Sequence, residues 1–133
     1  MAERTAVIAG AGLAGALLAT RLAQRGWGVT IVERRADPRR ANVYEGRSIN
    51  LALSTRGLNA LTQIGVTDVV VRGAVPMSGR RMHAVDGTRT YQPYGRSGQA
   101  ILSVSRAALN IALLDAAEHA GAMVLFDGRE IGR

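Results

Sequence analysis

The spacing of hydrophobic residues changes twice near the start of the chain. Residues 5–10 form a short apolar run, residues 13–24 carry apolar side chains at helical spacing, and residues 29–33 are again apolar up to a final glutamate. Short apolar runs are typical of buried strands, and an apolar stripe that repeats every three to four residues is typical of a helix. The order therefore predicts a strand–helix–strand (βαβ) unit.

The pattern is interrupted after the second predicted strand. Residues 34–47 contain one proline and five arginines with little apolar periodicity, which predicts an exposed loop. Residues 48–53 alternate as a strand, and Ser54 can cap a helix of about three turns that Gly65 is placed to end. Residues 67–72 predict one or two further helical turns.

Shorter extended pieces follow. Residues 80–85 and 88–92, separated by Asp86 and Gly87, predict a hairpin, which we expect to belong to a second sheet. The Pro93-Tyr94-Gly95 segment ends it. Arg80 and Arg81 are adjacent, so a strand would point them to opposite faces.

The last part of the chain returns to the first sheet. Residues 100–104 predict a strand, Ser105 can cap the helix that follows, and residues 123–126 predict a strand beside the βαβ unit. This alternation indicates an α/β fold, a Rossmann-like three-layer domain with a mainly parallel sheet. The chain then runs into a loop with no concluding element, so we expect the fold to be incomplete.

The βαβ unit carries a glycine motif with a dinucleotide-binding spacing. Gly10 permits a sharp turn after the strand, and Gly12 lets a pyrophosphate approach the backbone at the positive end of the helix. Gly15 allows the helix to pack closely on the sheet. Glu33 ends the second strand, where a carboxylate can bind an adenosine ribose and would repel a 2′-phosphate. The motif argues against NADP at this position and leaves FAD and NAD undivided.

Composition narrows the range of partners. All 17 basic residues are arginine, and the formal net charge is +7. The arginines are spread along the chain, and their densest group, residues 34–40, lacks the interleaved aromatic side chains that stack on bases. We therefore expect no nucleic-acid partner and consider a phosphate-rich cofactor the simpler explanation of the charge.

The remaining residue types exclude several kinds of chemistry. The chain has no cysteine and only two isolated histidines, so we expect neither a disulfide nor a metal site. The apolar start lacks the pattern of a signal peptide, and no apolar run approaches the ~18 residues of a membrane span. We expect a cytoplasmic protein with no membrane segment in this chain.

Four segments are more specific than the glycine motif. They read GRSINLALS at residues 46–54, VPM and then RRMH within residues 75–83, PYG at residues 93–95, and ILSVSR followed by LN within residues 101–110. In order and spacing they closely resemble the kynurenine 3-monooxygenase family. The resemblance implies that residues 1–133 are the N-terminal part of an FAD-binding domain, and that the hairpin region, residues 76–100, contributes to the substrate side.

The resemblance also implies an activity. In that family NADPH reduces bound FAD, and the reduced flavin captures O₂ as a C4a-hydroperoxide that hydroxylates L-kynurenine, or a close aromatic amino acid, at C3. The cofactor carries this chemistry, so no catalytic residue of the protein is implied within the chain. We expect the 133 residues alone to be inactive.

Site residues follow from the family's motif positions. An arginine fork and a tyrosine hydroxyl suit a substrate carboxylate, and Arg80 and Tyr94 hold the matching positions. The cofactor residues implied by the glycine motif and the resemblance together are Gly10, Gly12, Ala14, Gly15, Val32, Glu33, Arg34, Arg35, Ala52 and Arg106.

Two other interpretations are left open. The chain could be a stand-alone nucleotide-binding module without catalysis. A NAD-dependent dehydrogenase would need a nicotinamide site and acid–base residues, which the sequence after Glu33 does not offer. If no further strand joins residues 5–10, an apolar sheet edge is left uncovered, and a homodimer is one way to cover it.

Overall fold

The predicted βαβ unit is present. The computed structural model describes residues 4–40 and 49–128. Strand β1 (Thr5–Ala9) leads into helix α1 (Leu13–Ala23), which leads into strand β2 (Gly28–Val32). The two strands pair in parallel, with Thr5 opposite Gly28 and Ala9 opposite Val32.

The rest of the described chain contains six strands and three helices. In chain order they are β3 (Asn50–Leu53), α2 (Thr55–Ile64), α3 (Thr67–Arg72), β4 (Val75–Met77), β5 (Gly79–His83), β6 (Arg89–Pro93), β7 (Ile101–Ser105), α4 (Arg106–His119) and β8 (Met123–Leu125). The sequence pattern predicts all of them except β4, a three-residue strand that contains Pro76. Proline is depleted in strands, so the pattern there gives no strand signal.

The strands form three sheets. The parallel sheet has the order β1-β2-β8, so the predicted return of the last strand is confirmed. A second sheet, β3-β7-β4, is antiparallel, and β5 and β6 form a separate antiparallel hairpin. The α/β class and the parallel sheet are confirmed, although most of the described strands lie in antiparallel ladders.

The core lies on one face of the parallel sheet. Helices α1 and α4 pack against each other and cover the side chains of Val29 and Ile31, which are almost fully buried. On the opposite face, Val7, Met123 and Leu125 are exposed. Among residues 4–40 and 49–128, helices therefore lie on one side of the parallel sheet only. The predicted three-layer arrangement needs this correction, because among these residues the other face carries exposed side chains instead of a packed layer.

Helix ends follow the sequence signals with one difference. Ser105 precedes α4 and its hydroxyl accepts a hydrogen bond from the Ala108 N–H at 3.4 Å. Gly65 ends α2 in the left-handed conformation at φ +80°. Ser54 takes the position before α2 as predicted, but its side chain makes no capping hydrogen bond.

The loop after β2 needs a correction. Residues 34–47 were expected to be exposed, but Asp37 is only 8% exposed, and Arg39 is largely covered. The physical reason is an ion-pair cluster with carboxylates of α4, which sequence periodicity does not register. The part of the predicted loop at residues 41–47, and the predicted strand start at Ser48, lie outside the described residues.

The hairpin is closed by a loop of three residues. Ala84 N–H donates to the Thr88 carbonyl at 2.9 Å, Gly87 N–H donates back to the Ala84 carbonyl at 3.0 Å, and Gly87 has φ +88°. A glycine in the left-handed region is typical of three-residue hairpin loops. The resulting register sets Arg80 opposite Gln92, whereas a two-residue turn at Asp86-Gly87 would set Arg80 opposite Pro93.

The glycine turn depends on two glycines, one for its backbone conformation and one for a close approach of backbone. Gly10 has φ +101°, which L side chains rarely adopt. A Cβ on Gly15 would lie 2.1 Å from the Gly10 carbonyl oxygen, so only glycine allows α1 to sit this close to the end of β1. The expectation that Gly15 permits close helix–sheet packing is confirmed.

We expect Gly15→Ala to lower the free energy of unfolding by about 1–3 kcal/mol, because the added methyl must displace backbone atoms. Gly12→Ala is the matched control: a Cβ there meets nothing within 4 Å, and Gly12 has φ −74°. It should cost less than about 1 kcal/mol. Urea unfolding followed by circular dichroism measures both, and equal losses would contradict this account of Gly15.

Candidate dinucleotide site

Gly12 stands at the open end of helix α1. It precedes the first helical residue, supplies no side-chain cap, and the first turn of α1 contains no acidic residue. The first N–H groups of a helix need partners and carry partial positive charge, which favours an anion. Because the space beside the Gly12 Cα is open to at least 4 Å, a phosphate oxygen can reach this backbone. The local geometry fits a pyrophosphate.

Glu33 lies directly beside this turn. One oxygen of its carboxylate, Oε2, accepts a hydrogen bond from the Ala11 N–H at 2.8 Å, and Oε1 accepts one from the Arg35 N–H at 2.9 Å. The Gly10 N–H also donates to the Val32 carbonyl at 2.8 Å. The end of β2 and the glycine turn are thus joined by two hydrogen bonds.

These contacts fix the charge of Glu33. Partial burial by itself would raise the pKa of Glu33, but the hydrogen bonds from the Ala11 and Arg35 N–H groups and the charges of Arg35 and Arg34 outweigh it. The pKa of Glu33 therefore lies below its ordinary value. The carboxylate is therefore ionised at neutral pH, which makes it a strong hydrogen-bond acceptor.

The segment after β8 closes the other side of β2. Glu33 N–H donates to the Leu125 carbonyl at 2.8 Å, Gly128 N–H donates to the Glu33 carbonyl at 3.1 Å, and Asp127 N–H donates to the Arg35 carbonyl at 3.2 Å. Asp127 adopts φ +58°, which short polar side chains tolerate better than most. Residues 33–35 are held between the glycine turn and the end of β8.

The other predicted cofactor residues fall in two groups. Ala14 is exposed in the first turn of α1, Val32 is half-buried at the end of β2, and Arg34 is exposed next to Glu33. Ala52 and Arg106 belong to a separate group, on the β3-β7 ladder and at the start of α4, and both are exposed. The residues of the glycine motif and of the end of β2 therefore lie together. Ala52 and Arg106 lie on other elements, β3 and α4.

The hairpin places the two predicted substrate residues on one face. Arg80 pairs with Gln92, and Tyr94 N–H continues the ladder by donating to the Ser78 carbonyl at 3.0 Å. Side chains alternate along a strand, so Arg80, Gln92 and Tyr94 share a face and Arg81 takes the other, as predicted. With a register shifted by one residue, Arg80 and Tyr94 would lie on opposite faces.

Gln92 is a polar partner that sequence reasoning missed. Its Oε1 accepts a hydrogen bond from Arg80 Nε at 2.8 Å. Among the described residues, Gln92 is the hydrogen-bond partner of the Arg80 side chain. The bond uses Nε, so the Nη1 and Nη2 groups of the guanidinium are directed away from Gln92. The contact could have been predicted from the hairpin register, but only if the three-residue loop had been recognised in the sequence. Ala11 was missed for a different reason: it contributes only a backbone N–H.

A family model described as an FAD binding domain matches residues 3–132. The chain belongs to this FAD-binding domain family. The fold class predicted from the sequence is therefore confirmed, and the dinucleotide that the glycine motif left undivided is FAD for this family.

Curated relatives agree with the resemblance found in the sequence. Kynurenine 3-monooxygenase of Xanthomonas axonopodis pv. citri (strain 306) is 53% identical over 127 residues, which cover 95% of this chain and 28% of the relative. Kynurenine 3-monooxygenase of Stenotrophomonas maltophilia (strain K279a) is 52% identical over 129 residues, covering 96% of this chain and 28% of the relative. The chain thus spans 28% of the length of these relatives.

A solved structure supports the FAD-binding fold. The tetrameric form of 2-methyl-3-hydroxypyridine-5-carboxylic acid oxygenase superposes with a TM-score of 0.78 at 22% identity, covering 96% of this chain and 32% of that one.

Within residues 4–40 and 49–128, no helix has the length and hydropathy to cross a membrane. The same residues contain no group of three or more metal-ligating side chains placed to hold an ion.

We expect Glu33→Gln to destabilise the protein at neutral pH, because the neutral amide is a weaker acceptor for the Ala11 and Arg35 N–H groups. The pKa of Glu33 is lower in the folded state, so its contribution is fully present above the ordinary value of 4.5 and is lost as the pH falls through the folded pKa. The stability gap between wild type and variant should therefore shrink on acidification. Urea unfolding at pH 7 and pH 4 measures it, and a gap that widens at low pH would contradict the prediction.

Proposed function

We propose that this chain forms the FAD-binding part of a flavin-dependent monooxygenase that hydroxylates L-kynurenine, or a close aromatic amino acid, at C3 with NADPH as the reductant. The observation that carries the proposal is the open Gly12 backbone beside the ionised Glu33 carboxylate, in a chain 53% identical to a kynurenine 3-monooxygenase over 95% of its length. Bound FAD supplies the oxygen-activating chemistry, and the protein residues bind and orient.

Each half of the cofactor site has a distinct task. Gly12 and the first turn of α1 with Ala14 would hold the pyrophosphate, since N–H groups and the helix dipole stabilise its charge. Glu33, flanked by Val32, Arg34 and Arg35, would accept hydrogen bonds from the adenosine ribose. Gly10 and Gly15 would shape the turn on which the cofactor is bound. Ala52 and Arg106 would complete the FAD site from the β3-β7 ladder and the start of α4.

The hairpin face binds the carboxylate of the substrate. The Arg80 guanidinium presents its two Nη groups as a fork, which matches the two oxygens of a carboxylate. The Tyr94 hydroxyl donates a further hydrogen bond from the same face. Gln92 fixes the orientation of the fork through the 2.8 Å contact with Nε. These residues would hold an α-amino acid with an aromatic side chain by its carboxylate.

We expect the full-length gene product to bind FAD and to show NADPH oxidation that L-kynurenine stimulates, with 3-hydroxykynurenine as product. Gly12→Asp should abolish FAD binding, because a carboxylate there repels the pyrophosphate and fills its space. Gly73→Asp is the matched control, since a side chain at Gly73 also meets nothing within 4 Å but lies outside the site.

Flavin fluorescence titration and chromatographic product analysis make these measurements. A wild-type protein that does not bind FAD would refute the proposal. FAD binding without kynurenine-stimulated NADPH oxidation would favour a nucleotide-binding module without catalysis.

We expect Arg80→Met to raise the KM for L-kynurenine by about tenfold or more, because charge-assisted hydrogen bonds contribute roughly 1.5–3 kcal/mol. Gln92→Leu should raise KM by a smaller factor, since the Arg80 guanidinium loses the hydrogen bond that orients it but is still present. Arg81→Met, on the opposite hairpin face, should leave KM within about twofold of wild type. Steady-state kinetics at saturating FAD measures these KM values. A larger increase in KM for Arg81→Met than for Arg80→Met would contradict the assignment of Arg80 to the substrate-binding face.

A further inference from the structure

Arg39 forms the densest set of ionic contacts among the described residues. Its Nε and Nη2 bind the two oxygens of Asp37 at 2.9 Å each, and its Nη1 binds Asp115 Oδ1 at 2.8 Å. Nη1 and Nη2 also bind the carboxylate of Glu118, the latter at 3.1 Å. We call Arg39 with these three carboxylates the Arg39 clamp.

The Arg39 clamp is partly shielded from water. Asp37 is 8% exposed, and 22% of the Arg39 side chain is exposed. The guanidinium also lies over the Phe126 ring at 5.8 Å from its centroid. Ion pairs in such surroundings are screened less than surface pairs, and a fork with several acceptors has one preferred geometry. The hydrogen bond from Arg39 holds the pKa of Asp37 below its ordinary value despite burial.

The contacts join three separate parts of the chain. Asp37 and Arg39 belong to the segment that follows Glu33, Asp115 and Glu118 belong to α4, and Phe126 follows β8. This segment starts at the residues that carry the candidate ribose site. The segment is also attached by the hydrogen bond from the Asp127 N–H to the Arg35 carbonyl.

The Arg39 clamp restrains a segment that has no regular secondary structure. Residues 34–40 are not part of a helix or strand, so hydrogen bonds of regular structure do not fix their conformation. The Glu33 carboxylate takes its Oε1 partner, the Arg35 N–H, from this segment. Release of the segment at Arg39 removes its contacts with α4, so Arg35 is held less firmly. Its hydrogen bond to Glu33, one of the two that aim the carboxylate, is then weakened.

We propose that the Arg39 clamp holds residues 34–40 in the conformation that presents Glu33 and Arg35 to the adenosine half of FAD, which makes Arg39 a positioning residue for cofactor binding. The inference rests on the proposed FAD site. Arg39 itself does not touch the ribose: its guanidinium is occupied by carboxylates of the protein and acts through the backbone of the segment.

Arg40 provides a matched control. It is the neighbouring residue with the same charge, but its side chain is 89% exposed and its ion pair with Asp37 spans 3.7 Å. Arg39→Met removes the charged fork and keeps the aliphatic length that packs near Phe126. Arg40→Met removes the same charge from the same segment without breaking the clamp.

We expect Arg39→Met in the full-length protein to raise the Kd for FAD by about tenfold, equivalent to ~1.4 kcal/mol, and Arg40→Met to change it by less than about twofold. Arg39→Lys should lie between wild type and Arg39→Met, because a single ammonium cannot form the fork. Flavin fluorescence titration gives the Kd, and circular dichroism at the assay temperature verifies that each variant is folded.

A double-variant cycle separates positioning from general stabilisation. If Arg39 acts through Glu33, then Arg39→Met should weaken FAD binding little further once Glu33→Gln is present. Additive effects would overturn the proposal, as would an unchanged Kd in folded Arg39→Met. A wild-type protein that fails to bind FAD would refute the proposed function itself.

Should Arg39→Met fail to fold, Glu118→Gln tests the clamp from its α4 side, where the side chain is 39% exposed. The proposal then predicts an FAD Kd raised by about threefold, because one of three acceptors loses its charge. A Kd equal to that of wild type in this variant would overturn it.

Discussion

The hydrogen bond from the Ala11 N–H to the Glu33 carboxylate is the contact on which the arrangement of the site depends. It ties the tip of the glycine turn to the residue that ends β2, across 22 positions of sequence. The turn alone has few internal restraints, because Gly10 and Gly12 have no side chains to pack. An ionised acceptor at the end of the next strand supplies the missing restraint and leaves the helix N-terminus facing outward.

Small side chains make this geometry accessible. Gly15 brings α1 against the end of β1, and Ala16 and Ala19 are fully buried on the face that α1 turns toward the core. Thr20 is also fully buried, and its hydroxyl donates to the Ala16 carbonyl at 2.8 Å, so no polar atom is left without a partner there. A helix with larger residues at these positions would stand farther from the sheet and carry the turn away from Glu33.

Sequence reasoning succeeded where one local pattern decides the structure. The βαβ unit and the Gly65 and Ser105 helix ends each follow from periodicity or a single conformational preference. The return of β8 to the parallel sheet follows from the alternation of strands and helices typical of an α/β fold. It failed where a long-range contact decides. Asp37 is buried because α4 supplies carboxylates to the same guanidinium, more than 70 positions away. The Gln92 contact required the exact hairpin register, which one residue in the loop changes.

The three-residue hairpin loop has a consequence for how this protein can vary. Substitution at Val85 leaves the pairing of β5 with β6 unchanged, since that side chain is fully exposed. The loop relies on Gly87 and on Asp86, whose Oδ1 accepts a hydrogen bond from the Thr88 N–H at 2.8 Å. Insertion or deletion of one residue there would exchange the two faces of one strand relative to the other. The guanidinium and the phenol would then point in opposite directions with every amino acid of both strands still in place. Loop length is thus the quantity that keeps the guanidinium and the phenol on one face.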